Sequence, residues 1–185
     1  MNILLTGGAG FIGTHTLVEL LENGHEAVVI DNFSNSCREA LSRAEELTGK
    51  RFAFYEADVR DRAVLDRIFE EHPIDAVIHF AGLKAVGESV AKPIEYYDNN
   101  LVGTLVLLEA MRDHGVKKLI FSSSATVYGT PEQLPLTETC KVGGTTNPYG
   151  TSKYFQERML EDVCVSDKEW SVILLRYFNP VGAHP

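Results

Sequence analysis

Three glycines spaced three apart, Gly7, Gly10 and Gly13, stand where the apolar run Ile3-Leu4-Leu5 gives way to a segment of helical periodicity. Without a Cβ, glycine turns tightly and admits a second backbone or a ligand at close range. A turn of this kind between a strand and a helix leaves the helix's first N–H groups unpaired and places the positive end of its dipole at the turn. That is a site for a pyrophosphate. The spacing is weak on its own, because a plain glycine-rich turn carries the same letters. The rest of the chain decides between the two readings.

Apolar runs rich in β-branched and aromatic residues recur at 27–30, 52–55, 76–80, 119–121 and 171–175. They are nearly continuous rather than alternating, which suits strands covered on both faces of a parallel sheet. Helical patterns lie between them. Residues 11–22 stop at Asn23-Gly24, residues 38–48 at Gly49 and residues 93–114 at Gly115, each a glycine suited to a left-handed C-terminal cap. Residues 61–71 start at Asp61, an N-cap. Residues 148–165 follow Asn147-Pro148, a cap and then proline at the first helical position. The alternation predicts one domain over residues 1–185. It is a doubly wound α/β parallel sheet with right-handed crossovers and strand order 3-2-1-4-5-6.

The 185 residues are 44% hydrophobic and 23% charged, enough for a packed core and unlike a disordered or fibrous chain. No run approaches the roughly 18 apolar residues of a membrane span. The opening residues carry no basic stretch, so a signal peptide is not expected and a cytoplasmic location is. A net charge of -9 disfavours nucleic acid, and an anionic ligand must be held by local donors. Cys37, Cys140 and Cys164 are odd in number and widely spaced, and the six histidines share no ligand spacing, so no metal is assigned. His79, inside a strand, reads as a packed residue.

Asp31 ends the second apolar run 18 residues after Gly13. A carboxylate there accepts hydrogen bonds from a ribose diol and repels a 2′-phosphate, which favours NAD over NADP. The nearest later base, Arg38, fits a helix surface. Sites in open α/β sheets lie beyond the carboxyl ends of the strands. Asp58-Val59 is therefore placed to flank an adenine, and Phe80-Ala81-Gly82-Leu83-Lys84 to pass along pyrophosphate and ribose. Asn99 reads equally well as a helix residue and as a site residue.

Tyr149 and Lys153 stand four apart just inside a helix, so they share one face, about 6 Å apart along its axis. Ser122-Ser123-Ser124 follows the fifth apolar run, on the same edge of the sheet. A free phenol titrates near 10 and is roughly 0.1% ionised at neutral pH. A nearby ammonium, or an oxidised nicotinamide, favours the phenolate. A serine can hold a substrate hydroxyl in line for proton transfer. An ordinary amphipathic pair also reads Tyr-x-x-x-Lys; its place after Asn147-Pro148, with the serines and the glycine turn, argues for chemistry.

Together these residues resemble the extended short-chain dehydrogenase/reductase family, over essentially the whole chain. The resemblance is carried by residues 6–13, by Asp31-Asn32-Phe33-Ser34-Asn35-Ser36, by 80–84, 122–129 and 147–153, and by Arg176-Tyr177-Phe178-Asn179-Pro180-Val181-Gly182-Ala183. Within the family it points to enzymes that epimerise UDP-hexoses at C4. It implies a Rossmann fold and tightly held NAD, regenerated within each turnover. The implied cofactor contacts are Gly7, Gly10, Phe11, Ile12 and Gly13; Asp31, Asn32, Phe33, Ser34, Asn35 and Ser36; and Asp58 and Val59. They continue through Phe80, Ala81, Gly82, Leu83, Lys84 and Asn99 to Ser122, Ser124, Tyr149, Lys153, Tyr177 and Phe178. Tyr149 would take the proton of the sugar 4-hydroxyl while hydride passes from C4 to the nicotinamide. The 4-keto sugar would then accept it on its other face, converting UDP-galactose to UDP-glucose in galactose metabolism. Ser124 would bridge hydroxyl and phenol, Lys153 would bind the nicotinamide ribose and keep Tyr149 acidic, and Lys84 and Asn179 would touch the substrate. Helices 93–114 and 148–165 would form a homodimer bundle.

Two departures bear on that implication. Dehydratases of the superfamily carry an Asp-Glu pair after the strand-five hydroxyl residue, whereas Ala125-Thr126 stands here, so dehydration is disfavoured. The family's chain is about twice this length, with a C-terminal lid for the uridine nucleotide and a further sheet strand. The chain is therefore expected to be a fragment whose sixth strand is a bare apolar edge. A decarboxylase, a keto-reductase or another epimerase of the family remains an alternative. For the fragment alone, so does an inactive NAD-binding domain.

Overall fold

The computed structural model describes residues 1–184. Six parallel strands form one sheet: β1 (Asn2–Thr6), β2 (Glu26–Asp31), β3 (Ala53–Glu56), β4 (Ala76–His79), β5 (Lys118–Ser124) and β6 (Ser171–Tyr177). Their order is β3-β2-β1-β4-β5-β6. The reversal falls at β1, where the chain leaves to build β2 and β3 on one side and crosses back to β4 on the other. The connecting helices are α1 (Phe11–Glu22), α2 (Arg38–Thr48), α3 (Arg62–Glu71), α4 (Val86–Ala91), α5 (Pro93–Tyr97), α6 (Gly103–Asp113) and α7 (Pro148–Ser166).

Neighbouring residues of a strand face opposite sides of the sheet, and a parallel sheet needs both sides apolar. Leu4, Val28, Val77, Leu119 and Phe121 pack under α3, α6 and α7. Ile3, Leu5, Val29 and Ile78 pack under α1 and α2. Leu4 and Leu5 have no exposure, and each such side chain contributes about 1.5–3 kcal/mol. The continuous apolar runs are therefore the sequence image of two cores, one on each side of the sheet.

Local signals terminate the helices as expected. Asp61 accepts from the N–H groups of Ala63 and Val64 and starts α3. Asn147 accepts from Gly150 N–H and starts α7, with Pro148 at its first position. The expected helix at 93–114 is instead broken. A π-helical turn, Asp98–Val102, separates α5 from α6, and α4 precedes them. Within this turn Asn99 donates to Asn100 Oδ1, and Asn100 donates to Leu83 O in the loop after β4. Gly103 passes so near β3's loop that a Cβ there would meet Val59 Cγ1 at 2.8 Å. Strands β5 and β6 also run past their apolar stretches, pairing Ser123 with Arg176 and Ser124 with Tyr177. The serines and Tyr177 are thus strand residues, held at the carboxyl edge by ladder hydrogen bonds. Strand β6 is the sheet's last, and Ile173 and Leu175 are exposed on it.

Candidate active site at the carboxyl edge of the sheet

A cleft opens along the carboxyl ends of the strands, and it begins at the glycine turn. Gly7 has φ +69, and a Cβ there would lie 2.6 Å from Ala81 N. A Cβ on Gly13 would lie 2.4 Å from Gly7 O. Only glycine permits this packing of turn against helix and of turn against the β4 loop. Gly10 is the N-cap of α1 and supplies no side-chain cap. Phe11, Ile12 and Gly13, whose N–H groups open α1 without a side-chain cap, line the cleft together with Gly7 and Gly10. That donor set fits a pyrophosphate.

Asp31 ends β2 against this turn. Its carboxylate accepts from Ala9 N–H (3.0 Å), Phe33 N–H (2.9 Å) and Ser36 Oγ (2.7 Å). These bonds aim the carboxylate at the cleft and lock it to the glycine turn. Asn32, Ser34 and Asn35 line the cleft beside it. Phe33 and Ser36 do not. Phe33 (φ 54) turns its ring onto Phe54, 5.3 Å away, and Ser36 braces Asp31. Arg38 stacks over Phe33 and Phe54 and pairs with Glu56, as a helix-surface residue does. At the end of β3, Asp58 and Val59 form the far wall. Arg60, hydrogen-bonded to Asp58, holds its carboxyl down at about 2, and Asn32 Nδ2 bonds the same group at 2.9 Å.

The loop after β4, from Phe80 to Lys84, crosses the middle of the cleft. Sequence reasoning chose Asn99 here, and Asn99 does line the cleft. The hub is its neighbour. Asn100 is 1% exposed; its Oδ1 accepts from Leu83 N–H (2.8 Å), and its Nδ2 donates to Leu83 O (3.0 Å) and Ser152 Oγ (2.9 Å). It clamps the β4 loop to the helix that carries Tyr149 and Lys153. Only the paired asparagines in a helical run hinted at this.

Tyr149, Lys153, Ser122 and Ser124 converge at the other end, with Tyr177 and Phe178 beside them. Lys153 is 3% exposed and donates to Ser122 O at 2.8 Å, over the Phe121 ring. Ser124 Oγ accepts from Thr126 N–H (3.2 Å) and Thr126 Oγ1 (3.0 Å). Two lone pairs being filled, its own proton is left to donate. Burial pushes the Tyr149 phenol up, and the hydrogen bond from Ser124 offsets this in part. The expected acidification by Lys153 is not what acts on the phenol here; burial brings the Lys153 ammonium itself down to about 7, partly restored by Glu157. His79, wholly buried between Thr6 Oγ1 (2.6 Å) and Thr104 Oγ1 (3.0 Å), is held neutral by burial, with a value of about 3, and is a packed residue as expected. Asn179 is exposed and outside the cleft lining. Among the described residues no group of three or more His, Cys, Asp or Glu side chains is placed to hold a metal, and no helix is long and apolar enough to cross a membrane.

The chain is similar to known proteins. The UDP-glucose 4-epimerase of Bacillus subtilis is 63% identical over 185 residues, covering 100% of this chain and 54% of that protein. The Bos taurus enzyme of the same name is 59% identical over 189 residues. The crystal structure of the Bifidobacterium longum UDP-glucose 4-epimerase, in complex with NAD+ and UDP, superimposes with a TM-score of 0.98 at 65% identity over 100% of this chain and 55% of that one. The chain thus spans about half the length of the relatives it matches. A family model described as the NAD dependent epimerase/dehydratase family matches residues 3–185. The chain belongs to that NAD dependent epimerase/dehydratase family.

Proposed function

We propose that the protein holds NAD in this cleft and interconverts UDP-galactose and UDP-glucose at C4, as an enzyme of galactose metabolism in the cytoplasm. The observation that carries the reading is the convergence of Tyr149, Lys153 and Ser124 at the end of a cleft that starts on an uncapped helix N-terminus. Names and bound ligands of the similar proteins support it.

Residues 1–185 form the cofactor-binding domain and carry the catalytic trio. The N–H groups of Phe11, Ile12 and Gly13 would hold the pyrophosphate, Asp31 the adenosine ribose, and Lys153 the nicotinamide ribose. When bound, NAD supplies the two-electron acceptor and donor for the sugar C4. Tyr149 is the base for the 4-hydroxyl proton and returns it at the end. Ser124, its acceptor capacity filled by Thr126, donates toward the phenol and steadies the phenolate. Lys153, one helical turn from Tyr149 on α7, would steady the phenolate with its charge. Lys84 and Asn179 would meet the nucleotide sugar. Ala125 and Thr126 supply no carboxylate for elimination of water. Exposed Ile94 of α5, Val102 of the π-helical turn, Leu105 of α6 and Phe155 of α7 would meet a second copy in a homodimer.

The test has two stages. Denaturing the purified chain and analysing the supernatant by mass spectrometry asks whether NAD copurifies. Supplying the full-length protein with UDP-galactose, without added NAD, should then yield UDP-glucose. A cofactor-loaded protein that interconverts neither UDP-hexose would end this reading in favour of another activity of the family.

A further inference from the structure

One buried charge pair lies directly behind the catalytic trio and has no part in the chemistry described above. Glu157 is one helical turn beyond Lys153 on α7 and only 1% exposed. Arg176 of β6 grips it with two bonds, Nε to Oε1 at 3.0 Å and Nη2 to Oε2 at 2.8 Å. Ser123 of β5 donates to Oε1 at 2.5 Å. Ser123 and Arg176 are register partners on neighbouring strands. The carboxylate therefore straddles the β5–β6 ladder at the level of the trio, between Ser122, whose carbonyl takes the Lys153 ammonium, and Ser124.

We propose that Glu157 is a positioning residue for Lys153: pinned between Ser123 and Arg176, its carboxylate keeps the buried side chain in the ammonium form and seated on Ser122 O. An ion buried without a counter-charge is costly, and Lys153 has few other groups to offset that cost. On its own helix the buried residues one turn to either side are Tyr149 and Glu157. From β4 it faces His79, which is neutral. From β5 it faces the Ser122 carbonyl and the Phe121 ring. The π-helical turn contributes the neutral Asn100, across Gly82. Among these, Glu157 supplies the negative charge. Arg176 is the rival cation for it, and also ties Tyr128 Oη (3.1 Å) and Glu138 O (3.4 Å), so the loop after β5 is fixed by the same group. Desolvation brings Lys153 down and Glu157 acts against it, in the direction this geometry requires.

The inference rests on the proposed role of Lys153, and its test reads Lys153 whether or not the protein turns over. The 185-residue chain is labelled with [ε-13C]lysine, the Lys153 signal is assigned by its loss in Lys153→Met, and its pH midpoint is followed by NMR. Glu157→Gln keeps an acceptor for Ser123 and removes the charge. We expect its midpoint to fall by about one pH unit, a tenfold loss of proton affinity. Arg176→Gln removes the rival cation, and the midpoint should rise. Ser123→Ala removes a hydrogen bond and no charge, and should leave the midpoint in place. Far-ultraviolet circular dichroism establishes which variants fold, and either of the first two suffices. A Lys153 midpoint that stays put in folded Glu157→Gln, or that fails to rise in folded Arg176→Gln, overturns the proposal and leaves Glu157 a structural pin. In the full-length protein, the alkaline limb of the pH–rate profile should move to lower pH in Glu157→Gln and return in Glu157→Asp. A fall in rate with an unmoved limb contradicts the proposal. Loss of epimerase activity from the parent itself would overturn the proposed function and leave the Lys153 titration standing.

Discussion

The Lys153 ammonium lies 2.8 Å from the backbone carbonyl of Ser122, so its hydrogen bond is to the end of a strand. A carbonyl does not neutralise charge, and burial therefore dominates: Lys153 is brought from 10.5 to about 7. In the unfolded chain it titrates near its ordinary value. The folded state thus binds less proton between about pH 7 and 10.5, and stability attributable to this group rises with pH through that window. Urea unfolding at pH 7 and pH 9, each referenced to Lys153→Met, should show the native lysine gaining about 2 kcal/mol relative to the variant. No change in the difference between the two pH values would mean that Lys153 is solvated.

Removing the phenolic oxygen should leave cofactor binding alone and abolish proton transfer. Tyr149→Phe in the full-length protein is expected to retain NAD and lose about 10²–10⁴-fold in rate. The check is UDP-galactose conversion alongside the nucleotide content of the purified variant; a rate near that of the parent would remove Tyr149 from the chemistry.

Asp31 joins the glycine turn to the end of β2 through Ala9, Phe33 and Ser36. Asp31→Ala should weaken NAD retention through gel filtration by an order of magnitude or more, since two N–H donors lose their acceptor as the ribose loses its own. Retention equal to the parent's would place the ribose elsewhere.

At Gly13 the obstacle to a side chain is backbone, with Gly7 O at 2.4 Å and Gly8 Cα at 2.8 Å from an added Cβ. Gly13→Ala should cost about 1–3 kcal/mol in urea unfolding and abolish NAD retention together. By contrast Gly24→Ala, with nothing within 4 Å of the added Cβ, should spare the cofactor. Retained NAD in Gly13→Ala would sink the pyrophosphate assignment.

What the sequence made legible was local or topological. Asp61 and Asn147 announce their helices because a cap is a contact two or three residues away. The strand order follows from the handedness of crossovers and the turn-back at β1. Asn100 and the Glu157–Arg176 pair were not legible, because their partners come from other elements: Leu83 is 17 residues from Asn100, and Arg176 is 19 from Glu157. The helix expected at 93–114 failed for the same reason, its periodicity being real while Asn100 and Gly103 answer to the β4 loop and to Val59. Nor was the burial that raises the Tyr149 phenol legible, because spacing gives the neighbour of a phenol and not its exposure to water.

The reversal of strand order at β1 also imposes a schedule. The glycine turn is made from residues 7–13, and the opposite wall from residues 149–178. At about 5–20 residues per second, a ribosome that has delivered the first needs roughly ten to thirty seconds more to deliver the second. For that interval a nascent chain carries one jaw of the nucleotide grip and no counterpart, and loading must wait until β6 has slid into place beside β5.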